Sequence, residues 1–218
     1  MIIANRILGF VLVAAALQLV AGCQAESIQA PALTHAQNTK KERDMRTTVP
    51  LVLQLGQQDI ARPIELAFEV PSQADDPEPP VFIGLRVAAA DPAVAAARID
   101  QLRDAGVTAE VHLYRLSGTS ADPVTLQRSA LVGRSDFQVV ALDAGGHVPG
   151  FLKANSDFKT MQAAGLIAPN VEYRELEMAF VRDMSPGRYR AVIRFDGNLR
   201  ALSEMHPELL IAFTAKSM

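Results

Sequence analysis

Ile64-Glu65-Leu66-Ala67-Phe68-Glu69-Val70 alternates apolar and polar side chains along its length. A strand turns successive side chains to opposite faces, so this period of two places Ile64, Leu66, Phe68 and Val70 on a buried face. Glu65, Ala67 and Glu69 then face water. Segments of similar character lie on both sides, at residues 51–55, 81–87, 107–116, 124–132, 137–142, 175–180, 189–195 and 208–214, with turn residues between them. Many short strands with frequent turns predict a mainly β chain, an antiparallel immunoglobulin-like β-sandwich with one or two short inserted helices. A small barrel is the alternative.

The connections carry their own signals. Asp91-Pro92 reads as an N-cap followed by proline at the first helical position, opening a helix that runs to Ala105. Val94, Ile99 and Leu102 fall on its inner face, and Gly106 is placed to end it in the left-handed conformation. Residues 71–80 hold four prolines and the acids Asp75, Asp76 and Glu78, which predicts an exposed acidic loop outside any sheet interior. Its carboxylates suit a solvated loop; calcium is the other reading, although the spacing matches no EF-hand. Ser185-Pro186-Gly187-Arg188 has the residues of a type II turn. A hairpin between residues 175–183 and 188–195 follows, with Asp183 opposite Arg188, Glu177 opposite Arg194 outside, and Met178 opposite Ile193 inside. Residues 143–170 break the rhythm, with a short helix over 156–164. Their apolar content predicts that they lie over an open end of the sandwich or present part of a partner-binding surface.

Composition excludes several functions. Residues 23–218 keep 20 of the 21 basic side chains and all 24 acidic ones, a net charge of −4. No basic excess or aromatic-interleaved basic run offers phosphates a surface, so no nucleic-acid partner is expected. The single cysteine is Cys23. It closes an apolar run from Ile7 to Val20 that is shorter than the roughly 20 residues needed to span a bilayer, and the run reads as a secretory signal.

Val20-Ala21-Gly22-Cys23 resembles the lipobox of bacterial lipoproteins. That resemblance implies cleavage before Cys23 and acylation of its thiol; an ordinary signal peptide cut near Ala25 is the other reading. The expected organisation is a signal peptide over 1–22, a lipidated cysteine and flexible tether over 23–49, and a sandwich over 50–218. A flexible tether of this length spans about 28 Å. Gln24, in place of the aspartate of inner-membrane retention, implies an outer-membrane lipoprotein on the periplasmic face. Lys40-Lys41-Glu42-Arg43 reads as solvated linker, or as a contact with anionic head groups.

Read together, residues 65–71, 82–86, 113–116, 186–190 and 207–209 resemble a family of small proteobacterial β-sandwich lipoproteins of unknown function. Pro186-Gly187-Arg188-Tyr189 is also similar to the strand opening of many bacterial immunoglobulin-like domains, in which the tyrosine makes a corner bond. These likenesses imply a sandwich in the envelope and transfer no catalytic residue. No Gly-x-Ser-x-Gly, His-Glu-x-x-His, Walker or dinucleotide motif occurs, and the four histidines show no metal-ligand spacing. Asp143, His147 and a serine are the one conceivable hydrolase triad. The expectation is a non-enzymatic protein with no cofactor and no metal, anchored to the membrane by lipid and binding a protein partner. Phe151, Phe158, Asp75 and Asp76 are the candidate contacts. The family's likeness to lipoproteins found beside type VI effector systems implies an immunity role, neutralising a secreted antibacterial effector. A structural part of an envelope or secretion assembly is the alternative.

Overall fold

A computed structural model describes residues 46–74, 76–133 and 136–215. The signal, Cys23 and nearly all of the tether lie outside them. In chain order the elements are β1 (Leu51–Gln54), α1 (Gln57–Ile60), β2 (Ile64–Val70), β3 (Val81–Ala89), α2 (Pro92–Asp104), β4 (Val107–Ser117), β5 (Ser120–Val124) and β6 (Gln127–Val132). There follow β7 (Asp136–Ala141), β8 (His147–Val148), β9 (Leu152–Ala154), α3 (Phe158–Ala163), β10 (Glu172–Val181), β11 (Gly187–Gly197), α4 (Leu199–Glu204) and β12 (Glu208–Phe213). Two antiparallel sheets form a β-sandwich. One has the order β1-β12-β3-β10-β6-β7, with β9 also on β10; the other has the order β2-β11-β4-β5, with β8 also on β4. At the centre of the two sheets, β3 pairs with β10 and β4 with β11.

Local chemistry accounts for several of these elements. Asp91 accepts from the main-chain N–H groups of Ala93 and Val94, capping α2, and Gly106 lies at φ +74°, past its end. Ala95, Ile99 and Leu102 are the buried residues of this helix. Val94, expected inside, is exposed, because the face that meets β3 and β10 is the one centred on Ala95 and Ile99. The Tyr189 hydroxyl donates to the Ser185 carbonyl at 2.6 Å and the ring stacks on Phe68, centroids 5.9 Å apart. This is the corner bond, and burial raises the phenol's pKa.

The expected hairpin between residues 175–183 and 188–195 does not form. β10 lies in the larger sheet and β11 in the smaller one, so the Pro186-Gly187 turn carries the chain from one sheet to the other. Met178 and Ile193 do share the core, arriving from opposite sheets. Arg194 pairs with Glu110 of β4 instead of Glu177. A bulge between Glu177 and Ala179 turns both Met178 and Ala179 into the main core and sends Phe180 to the other side of the sheet. The strand expected over 124–132 is two strands, β5 in one sheet and β6 in the other, separated by the buried Leu126. Val49, placed in the tether by sequence, is buried, and its N–H donates to the Glu69 carbonyl.

Residues 143–170 do not cover an open end of the sandwich. β8 adds to β4 and brings Val148 and Phe151 into the main core. Beyond β9, the segment lies on the outer face of the larger sheet. There Met161 and Leu166 pack on Val52, Phe82, Phe180, Leu210 and Ala212, a second apolar core. Strand β3 is therefore buried on both faces from Val81 to Val87.

Gly84 sits beside the bulge, where a Cβ would lie 2.0 Å from the Leu176 carbonyl oxygen. Gly84→Ala should cost about 1–3 kcal/mol, the usual range for overpacking. Gly150→Ala, in open space, should cost far less. Urea denaturation of the two variants checks this; equal midpoints would contradict the close approach at the bulge.

Candidate functional site

The insertion and α2 enclose a cleft of about 550 Å³ at the start of β10. Ala96 and Ile99 of α2, Phe158 of α3, Ile167 and Val171 give it apolar walls. Its polar groups come from β9, the following loop and β10. Asp157 caps α3 by accepting from the Thr160 N–H, which fixes the residues just before it. Ser156 consequently gives two donors to Glu175: its main-chain N–H to Oε2 at 2.6 Å and its hydroxyl to Oε1 at 2.7 Å.

Glu175 is only 9 % exposed. Burial raises its pKa above the ordinary glutamate range, while the Ser156 bonds and the positive field of Arg86 act the other way. Arg86, directly across the register on β3, is 1 % exposed. Its guanidinium pairs with Glu208 of β12, donates to the Leu166 carbonyl at 3.0 Å, and lies 4.4 Å from the centre of the Tyr173 ring. At the cleft opening Lys153 pairs with Asp100 at 2.8 Å, and Arg174 with Glu172 at 3.3 Å.

The second feature is the β6–β7 hairpin. Its root is tied to β10 through the Phe180–Gln127 pair and through the Ser129 N–H, which donates to Glu177 at 3.2 Å. Farther out, Leu131 stands opposite Phe137 and Ser129 opposite Val139, so Leu131, Phe137 and Val139 share one face. All three are exposed, Phe137 by 66 %. Among the described residues β7 has β6 as its only strand neighbour.

The sequence-derived contacts fare unevenly. Phe158 is exposed, 59 %, at the cleft rim. Phe151 is 3 % exposed and packed in the main core, so it is no surface anchor: the β8–β4 pairing just before it draws it inward. Asp76 is half-buried in a loop held at Glu78, which accepts from the Ser185 hydroxyl at 2.6 Å. Cys23 and Asp75 lie outside the described residues. Asp143 accepts from the main-chain N–H of His147 at 3.0 Å, and this bond lowers its pKa. That is a turn, with the imidazole on neither side of the bond, so Asp143 and His147 do not form the triad arrangement. Among the described residues no three His, Cys, Asp or Glu side chains are grouped to hold a metal ion, and no helix is long and apolar enough to cross a membrane. Sequence reasoning missed the Arg86–Tyr173–Glu175–Ser156 group. The available signal was Arg86 itself, the one charge within the apolar stretch 81–87.

The folded chain holds the Glu175 proton more tightly than the unfolded chain does. This contribution to stability is complete below the ordinary glutamate range and is lost as pH rises through the raised value. Glu177, also raised by burial, has the same sign. The Glu175→Gln variant removes one of these titrations. Denaturation midpoints across pH should therefore show wild type losing ground to the variant as pH rises through that window; parallel curves would contradict a raised Glu175.

No protein-family model, curated protein or solved structure matches this chain, which leaves its own residues as the source of a functional reading.

Proposed function

We propose that this chain is a non-enzymatic, lipid-anchored protein of the bacterial envelope that binds a protein partner through the β6–β7 hairpin. The supporting observation is the exposed apolar face of Leu131, Phe137 and Val139 on a sheet edge. Soluble proteins seldom leave such groups clustered in water without a use for them. An edge strand also offers unpaired backbone groups to an incoming strand. Phe137, a rigid aromatic at the outer part of the hairpin, has the character of an anchor that fills a partner's pocket.

Acylation of Cys23 would hold the domain at the outer membrane, on the periplasmic face, at the end of a tether. Two or more acyl chains make attachment stable where one is marginal. The finer reading is an immunity protein that neutralises a secreted antibacterial effector, a task that needs a complementary surface and no reaction of its own. A structural role in an envelope assembly would use the same surface on a resident partner.

Changing Leu131 and Phe137 together to Asp should leave the melting temperature nearly unchanged, since both side chains already face water. The same variant should lose at least tenfold in effector bound during detergent pull-down, and a strain carrying it should be killed by effector-bearing siblings as a deletion strain is. Full binding and full protection by the variant would remove the hairpin reading. Cys23→Ala should move the protein from the membrane fraction to the soluble periplasm; retention on membranes would contradict the anchor.

A further inference from the structure

The cleft beside Glu175 lies at the opposite end of β10 from the hairpin root, and its walls and charges point to a ligand of their own. A buried carboxylate has two acceptor positions on each oxygen. Ser156 fills one on each, leaving Glu175 able to accept further donors from the cleft side.

The neighbouring cations are already engaged. Lys153 is bonded to Asp100 and Arg174 to Glu172, and Arg86, whose field reaches Glu175, is bonded to Glu208. Among the described residues Glu175 is thus the acid of this group without a cation bonded to it. An anionic ligand would meet Glu172 and Glu175 together. A ligand with no charge would leave a buried carboxylate uncompensated. Ala96, Ile99, Phe158 and Ile167 line the remaining wall with surface suited to methylene groups. The volume, about 550 Å³, falls in the range of small-molecule sites.

We infer that this cleft binds a primary ammonium or guanidinium group carried on an unbranched apolar chain, with Glu175 as its counter-charge and the α2–α3 walls around its methylenes. Such a group is borne by a free alkylamine or by a lysine or arginine side chain. It would meet both free acceptor positions of Glu175 with charge-assisted hydrogen bonds. Phe158, exposed at the rim, would cover the chain where it enters.

The probe is n-hexylammonium, with n-hexanol and hexanoate as the uncharged and anionic controls, titrated into the full chain and followed at the Ser156 and Glu175 amide resonances. Hexylammonium should saturate these shifts at an affinity at least tenfold above either control. Glu175→Gln should weaken it at least tenfold. Ala96→Trp, which fills the cleft from α2 and leaves the carboxyl in place, should abolish the shifts, and it serves equally if the glutamine variant folds poorly. Hexanol binding as tightly as hexylammonium, unchanged binding in either variant, or no shift by any probe at millimolar concentration would overturn the inference. An acetylated, amidated Gly-Lys-Gly peptide separates the two sources. Binding of the peptide as well assigns the site to a partner's basic side chain, and binding of hexylammonium alone assigns it to a free amine. None of these outcomes depends on Leu131 or Phe137.

Discussion

The buried guanidinium of Arg86 ties together parts of the chain that are far apart in sequence. From the central strand β3 it reaches Glu208 on β12, the Leu166 carbonyl in the insertion and the Tyr173 ring on β10. Taking a guanidinium out of water is tolerable only where its charge and donors are matched. The match requires all three neighbours at once, and Leu166 supplies its carbonyl only when residues 158–167 are seated on the sheet. The hydrogen bond to Leu166 thereby ties the insertion to β3. Glu208 keeps partial contact with solvent, which limits the cost of burying its charge. Removing its carboxylate would leave Arg86 buried and unpaired, a loss of about 3–5 kcal/mol.

Once the insertion is seated, the two sheets become unequal. The smaller sheet keeps a wet outer face, where Arg194 pairs with Glu110 and the Arg190 guanidinium lies 5.1 Å from the centre of the Tyr114 ring. The larger sheet is covered on both sides around β3 and β12, with Leu210 and Ala212 facing the second core and Leu209, Ile211 and Phe213 the first. The same cover creates the cleft, because the chain passing from β9 through Ser156 to α3 stands off from α2. Its β10 neighbour at the far end, the β6–β7 hairpin, receives no such cover among the described residues. Burial of the larger sheet's outer face around β3 and β12 and exposure of the hairpin are the two structural grounds for separating a small-ligand cleft from a protein-docking edge.

The sequence made the individual strands legible and their partners much less so. In β4 the alternation runs unbroken from Val107 to Leu113, and each apolar residue there is buried as the pattern requires. The Asp91 cap was equally readable, because it depends on a few adjacent residues, and the Tyr189 corner was implied by the likeness of residues 186–189 to the strand opening of bacterial immunoglobulin-like domains. The connection from β10 to β11 was not. A period of two on both sides of Pro186-Gly187 suits a hairpin and a crossing between sheets alike, and only packing decides between them. The bulge at Met178 carries no local signal either: unbroken alternation would put Phe180 on the same face as Met178, whereas it packs on the other side of the sheet. Phe151 looked like an exposed anchor because its neighbours are turn residues, whereas pairing of Val148 with Ala109 draws it into the core. The cleft was illegible for a related reason: Glu175 reads as the polar member of an alternating strand until an insertion covers that face.

The central claim is that residues 155–167 form an integral layer of the domain, fixed by Arg86 and the second core, and not a lid that opens over a finished sandwich. Native-state hydrogen exchange tests it at the amides of Met161, Ala164 and Leu166, which donate to Asp157, Thr160 and Met161. If the layer is integral, these amides exchange with the same free energy and denaturant dependence as those of β3 and β12, through global unfolding. Exchange by a low-energy local opening while β3 and β12 stay protected would contradict the claim.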